Sequence, residues 1–150
     1  MNGFILLVDG DAQHAMSVEA SFSSNGLATV VHVVGDGYEA LDFLFSSRAL
    51  EIRGGSQPAL ILLDLSVPVM HGLHVLQTVK ADPRTAEIPV IMLTSPASEL
   101  DIHAAIKNGA DSIVEKPLTF HKLLLAAKRL GIRLDRSGHG LVAGDRLSST

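Results

Sequence analysis

Short apolar runs alternate with amphipathic segments along most of the chain. Five runs are nearly free of polar residues and have the length of strands that are buried on both faces of a parallel sheet. They cover residues 4–8, 27–34, 59–63, 90–93 and 112–114. The hydrophobic pattern therefore predicts five strands.

The segments that follow these runs carry apolar residues at helical spacing. We expect helices at residues 12–24, 36–45, 73–81, 98–107 and 119–130. Residues 48–57 form a polar connection, into which the pattern allows the second helix to extend. The pattern also allows the last helix to continue irregularly through residues 131–134. Strands that alternate with helices indicate a parallel α/β sandwich, because right-handed crossovers place helices on both faces of the sheet.

The composition indicates a single soluble domain. Of the 150 residues, 47% are hydrophobic and 19% are charged, and the net charge of −4 argues against a nucleic-acid-binding surface. The absence of cysteine excludes disulfides and thiolate metal sites. The first residues lack the pattern of a signal peptide, and no apolar run approaches the roughly 18 residues of a membrane span. We expect a cytoplasmic protein with one domain at residues 1–135 and a disordered tail at residues 136–150.

Polar side chains stand at the carboxyl ends of the predicted strands, where a parallel sheet forms its ligand crevice. Asp9 and Asp11 follow the first strand, Asp64 the third, Thr94 the fourth and Lys116 the fifth. A cluster of carboxylates is unfavourable unless a cation compensates it, and oxygen ligands favour a hard ion, most simply Mg²⁺. An ionised aspartate can attack phosphorus to give an aspartyl phosphate, while Mg²⁺ and a lysine neutralise the phosphoryl oxygens.

Four motifs within residues 4–130 resemble the receiver domains of bacterial two-component response regulators. They are the acidic end of the first strand, the D-x-x-x-P-x-x-x-G pattern from Asp64 through Pro68 to Gly72, Thr94 closing the fourth strand, and Lys116-Pro117 after the fifth. The resemblance implies a flavodoxin-like, doubly wound (βα)5 sandwich with a parallel five-stranded sheet in the order 2-1-3-4-5.

The same resemblance implies roles for individual residues. Asp64 is expected to accept a phosphoryl group from a phosphohistidine, with Thr94 as the switch hydroxyl and Lys116 as the phosphate-binding ammonium. The Lys116-Pro117 bond is expected to be cis. The implied ligands of Mg²⁺, or of Mn²⁺, are Asp9, Asp11, Asp64 and the backbone carbonyl of Ser66.

A narrower resemblance concerns partners. The amino-acid sequence of residues 80–90 and the extended connection at residues 48–57 resemble those of stand-alone regulators that receive their phosphoryl group from phytochrome-type histidine kinases. This resemblance implies a bacteriophytochrome as the kinase, an output through protein contact, and a homodimer formed through the carboxy-terminal strand and helix face. The apolar stripe that would form the dimer is Leu123, Ala127, Leu130 and Leu134, and the alternative is that this stripe packs on the sheet.

The chain departs from the receiver pattern at Gly10, where such domains usually carry a second acid directly after the first one. Asp9 matches the first acid, and Asp11 lies one residue beyond the vacant place. Either Asp11 completes the metal site, or it caps the first helix and metal binding and phosphorylation are weakened.

Three classes of function follow from this sequence. The leading one is a receiver that is switched by phosphorylation and is not an enzyme acting on a separate substrate. The second is a pseudo-receiver that serves for docking or dimerisation, with phosphorylation impaired because of Gly10. The third is an aspartate-nucleophile phosphohydrolase, which ranks last because that class needs an acid two residues after the nucleophile, and Ser66 stands there.

Overall fold

Five parallel strands form the central sheet in the order β2-β1-β3-β4-β5. The strands are β1 (Ile5–Val8), β2 (Val31–Val34), β3 (Leu60–Asp64), β4 (Val90–Thr94) and β5 (Ser112–Glu115). The computed structural model describes residues 3–27, 30–67, 70–95, 99–135 and 140–142. The predicted fold class, the number of strands in this sheet and their order are confirmed.

The sheet is covered by helices on both faces. They are α1 (Ala12–Ser24), α2 (Gly37–Phe45), α3 (Ser47–Ile52), α4 (Gly72–Ala81), α5 (Glu99–Lys107) and α6 (Phe120–Leu130). Helix α3 is separate from α2, whereas the sequence allowed a prolongation of the second helix. Ser46 ends α2 in an extended conformation, and its hydroxyl accepts a hydrogen bond from the Ala49 N–H. This hydrogen bond caps the start of α3. Within the part of the chain that the structure describes, no helix combines the length and the apolar character of a membrane span.

Alternation along the strands divides the core into two layers. On one face, Ile5 and Leu7 of β1 pack with the buried sides of α1 and α6. On the other face, Leu6 and Val8 pack with α2 and α4. Every residue of β1, β3 and β4 is buried, as the uninterrupted apolar runs require. The packing of the sheet therefore fixes the positions of the residues at the carboxyl ends of its strands.

The chain after α6 differs from the sequence expectation. Gly131 has a φ of 71° and ends α6 in the left-handed region, so residues 131–134 do not continue the helix. Two short strands follow, β6 (Arg133–Asp135) and β7 (Gly140–Val142), and they pair antiparallel. Part of the segment that was expected to be a disordered tail thus forms one strand of a hairpin. Residues 136–139 and 143–150 lie outside the described residues.

The apolar stripe considered for a dimer lies against the protein's own core. Leu123 and Ala127 are fully buried between α6 and the sheet, and Leu130 and Leu134 are partly buried against the same cluster. The structure therefore favours the alternative in which the stripe packs on the sheet. The homodimer stays a prediction.

The turn between β3 and α4 requires a glycine at its end. A Cβ on Gly72 would lie 2.6 Å from the backbone oxygen of Asp64 and 2.7 Å from that of Leu65. The Gly72 N–H donates to the Leu65 oxygen at 3.0 Å, so the two segments cannot separate without losing this hydrogen bond. Pro68, the other fixed position of the predicted loop, lies outside the described residues.

We expect Gly72→Ala to lower the free energy of unfolding by about 2 kcal/mol or more, because the new methyl group would overlap backbone atoms that cannot move independently. Urea denaturation measures the effect. The matched control is Gly35→Ala, where the added carbon meets open space and the expected change is within about 0.5 kcal/mol. Equal stability of the two variants would contradict the close packing of this turn.

Candidate functional site

Residues from four strand ends stand next to each other at the carboxyl edge of the sheet. Asp9 follows β1, Asp64 ends β3, Thr94 ends β4 and Lys116 follows β5. The parallel registers place these ends side by side, since Val8 pairs with Leu63 and Asp64 with Leu93. The structure thus brings together four of the residues that the sequence singled out.

Lys116 connects the two buried carboxylates of this site. Its Nζ lies 3.0 Å from Asp9 Oδ1 and 2.9 Å from Asp64 Oδ2. Asp9 is 2% exposed and Asp64 is 3% exposed, so water offers their charges little compensation. The ammonium compensates both carboxylates at once, which makes the three groups one electrostatic unit.

The second oxygen of Asp64 is fixed by the residue two positions later. Both the backbone N–H and the hydroxyl of Ser66 donate to Asp64 Oδ1, at 3.0 and 3.1 Å. The predicted acceptor carboxylate is therefore oriented by hydrogen bonds to both of its oxygens, with Ser66 on one side and Lys116 on the other.

Asp9 is surrounded by donors in the same way. Besides Lys116, the backbone N–H of Asp11 donates to Oδ1 at 2.9 Å, and His14 Nδ1 lies 2.5 Å from Oδ2. His14 also accepts a hydrogen bond at Nε2 from the backbone N–H of Leu118, at 3.0 Å. Sequence reasoning missed His14. The signal for it was its place in the first turn of a helix that begins at a strand end carrying acids.

The pKa values of Asp9 and Lys116 shift in opposite directions. Burial alone would raise the pKa of Asp9, but the hydrogen bonds from Asp11, His14 and Lys116 outweigh burial and lower it. Burial alone would lower the pKa of Lys116, but its hydrogen bonds to Asp64 and Asp9 outweigh burial and raise it. Both shifts favour the charged forms, as expected for groups that stabilise each other.

Asp11 lies apart from this unit. Its exposed side chain accepts hydrogen bonds from the N–H groups of Gln13 and His14, which makes it the N-cap of α1. Among the residues that the structure describes, no three carboxylate or histidine side chains gather in a way that could hold a metal ion. The carboxylate oxygens at the buried centre of the site are thus those of Asp9 and Asp64. This donor set fits a hard cation that keeps several waters.

Thr94 and Pro117 flank the lysine. Thr94 is 3% exposed, and its backbone oxygen accepts a hydrogen bond from the Lys116 N–H at 2.6 Å. The Lys116-Pro117 bond is cis, as predicted. Lys122 of α6 donates to the backbone oxygens of Glu115 and Pro117 and so holds the same loop from its other side.

The sequence matches a known protein family. Residues 5–128 match the response regulator receiver domain. Among curated proteins, the chain is 38% identical over 119 residues to the probable methanogenesis regulatory protein FilR2 of Methanothrix harundinacea, with 79% of this chain and 75% of that protein covered. It also matches the DNA-binding response regulator MtrA of Mycobacterium tuberculosis at 34% identity over 86% of this chain, and spans about half the length of that protein.

Two solved structures have the same fold. The bacteriophytochrome response regulator AtBRR is 36% identical with a TM-score of 0.80, and the match covers 90% of this chain and 96% of that one. The bacteriophytochrome response regulator RtBRR is 37% identical with a TM-score of 0.78, and the match covers 90% of this chain and 81% of that one. The architecture described above is therefore the receiver architecture.

We expect the ionisation of Asp9 to make the free energy of unfolding depend on pH in the acidic range. Its folded-state pKa lies below the ordinary value of 3.8, so its contribution to the free energy of unfolding is present above that value and is lost as the pH falls through the folded-state pKa. Asp9→Asn removes this titration, and its free energy of unfolding should fall less steeply than that of the wild type below about pH 4. Urea denaturation across this range measures the slope.

The control for this series is Glu19→Gln, which removes an exposed carboxylate of α1 outside the site. A slope that is the same for wild type and Asp9→Asn would contradict the proposed compensation of Asp9 by its donors.

Proposed function

Because the chain belongs to the response regulator receiver domains, as the match over residues 5–128 shows, we propose that Asp64 accepts a phosphoryl group from a histidine kinase. The observation that carries this proposal is the position of the Lys116 ammonium, 2.9 Å from Asp64 and 3.0 Å from Asp9. The ammonium compensates the carboxylate before the reaction and stays within reach of phosphoryl oxygens carried by Asp64 after it.

In the proposed reaction an oxygen of Asp64 attacks the phosphorus of a phosphohistidine. A phosphorus–oxygen bond forms to Asp64 while the phosphorus–nitrogen bond breaks, and its electron pair leaves on the imidazole nitrogen. Ser66 holds the plane of the carboxylate through its two hydrogen bonds to Oδ1. The hydroxyl of Thr94, which is buried at the end of the neighbouring strand, is proposed to donate a hydrogen bond to the transferred group.

We propose Mg²⁺, or Mn²⁺, as the cofactor of this step. Asp9, Asp64 and the backbone carbonyl of Ser66 would hold the cation, with water as the remaining ligands. When bound, it would supply positive charge against the phosphoryl oxygens. Asp11 would bind the cation only after leaving its position as the cap of α1. We therefore propose a lower affinity for the cation than that of a site with three carboxylates.

The proposed kinase is of the bacteriophytochrome type. Support comes from AtBRR and RtBRR, which are described as bacteriophytochrome response regulators and share 36% and 37% identity with this chain. The described residues form the receiver fold with a short hairpin, and we propose that the signal leaves by protein contact with a downstream partner. No reaction on a separate substrate is part of this proposal.

A second candidate is a docking module that works without phosphorylation. Two observations favour it: Gly10 stands where receivers usually carry an acid, and Asp11 serves as a helix cap. In this case the Lys116 bridge would serve only to compensate the buried carboxylates. The phosphohydrolase alternative gains no support, because the Ser66 side chain donates to Asp64 and is not a carboxylic acid.

We expect the wild-type protein to gain a single phosphoryl group when it is incubated with acetyl phosphate and Mg²⁺. Intact-mass spectrometry detects the adduct, and chelation of the metal should abolish it. Asp64→Asn should abolish the adduct because the nucleophilic oxygen is replaced by an amide. The matched control is Asp42→Asn, which changes an exposed aspartate of α2 and should leave the uptake unchanged.

Gly10→Asp separates the two candidate functions. If the wild type gains no adduct and Gly10→Asp does, the fold is intact and the missing acid disables phosphorylation, which favours the docking module. Adduct formation in Asp64→Asn at the wild-type rate would contradict the assignment of the acceptor.

A further inference from the structure

The His14 ring contacts both the Asp9 carboxylate and the loop that carries Lys116. It lies in the first turn of α1, and its side chain is 9% exposed. One ring nitrogen, Nδ1, faces Asp9 Oδ2 at 2.5 Å, and the other, Nε2, faces the backbone N–H of Leu118 at 3.0 Å. Leu118 is buried in the core, two residues after Lys116.

These two contacts define the tautomer of the ring. A backbone N–H can only donate, so Nε2 must accept and carry no proton. The Asp9 carboxylate accepts at both oxygens, so the proton lies on Nδ1 and is donated to Oδ2. His14 therefore acts as a neutral connector that donates at one end and accepts at the other.

We propose that His14 is a positioning residue of the phosphoacceptor site. It fixes the Asp9 carboxylate so that Oδ1 faces Lys116, and it ties this carboxylate to the backbone that follows the lysine. The proposal rests on the proposed function of Asp64 and deepens it. His14 touches neither Asp64 nor the site of the transferred group, so it acts through Asp9 and Lys116.

A ring that merely fills space between α1 and the loop would need neither nitrogen. Two variants separate the possibilities. His14→Phe keeps a ring of similar size and removes both hydrogen bonds, whereas His14→Gln still offers an N–H donor group and an acceptor atom. His103→Phe, a change of an exposed histidine of α5, is the matched control.

The first measurement is the rate of phosphoryl uptake from acetyl phosphate at saturating Mg²⁺. We expect His14→Phe to be slower by about tenfold, since hydrogen bonds to a charged group are lost while Lys122 still holds part of the loop. His14→Gln should recover to within about threefold of the wild type, and His103→Phe should not change. A wild-type rate in His14→Phe, or equal slowing in both His14 variants, overturns the proposal.

The second measurement needs no phosphorylation. Nitrogen-15 NMR should show the Nδ1-protonated tautomer of His14, and the side-chain signals of Lys116 should move in His14→Phe but stay in place in His103→Phe. If the wild type takes up no phosphoryl group, the proposed function fails, and this experiment decides about His14 by itself. A proton on Nε2, or unmoved Lys116 signals in His14→Phe, overturns the proposal.

Discussion

The arrangement of the strand ends depends on one ammonium group held between two buried carboxylates. Asp9 and Asp64 stand at the ends of neighbouring strands with almost no access to water, and without a cation between them they would repel each other at a high desolvation cost. Lys116 reaches them from β5, across the end of β4, and lies within 3.0 Å of both. A carboxylate that is oriented and compensated in this way suits the phosphoryl transfer that we propose, because the positive charge that the product would need is already in place.

The rest of the molecule positions these three groups. The apolar strands fix the spacing of their ends, Gly72 lets the turn after β3 close on the backbone of Asp64, and Lys122 of α6 holds the loop that carries Lys116. His14 adds a connection between this loop and Asp9. Most of these contacts come from segments that are distant in sequence, so the site exists only in the folded chain.

The sequence predicted the sheet and the placement of Asp9, Asp64, Thr94 and Lys116 at its strand ends because both depend on local signals. Uninterrupted apolar runs occur where both faces of a strand are covered, and the polar residue that ends each run marks the sheet edge. Helix α3 and the β6-β7 hairpin were not predicted, since they depend on the cap at Ser46 and on the left-handed turn at Gly131. Whether Asp11 caps the helix or binds a metal depends on three-dimensional packing, and so do the contacts of His14. The spacing of residues along the chain does not reveal this packing.

Lys116, Asp9 and Asp64 form one electrostatic unit, on which the proposed site depends. The most direct test is an NMR titration of the Lys116 side chain, with the carbon next to its ammonium followed through the alkaline range. We expect a pKa of Lys116 above the ordinary value of 10.5 in the wild type and a lower pKa in Asp64→Asn, where one of the two compensating charges is gone. A wild-type pKa at or below 10.5 that is unchanged in Asp64→Asn would show that the three groups do not form such a unit.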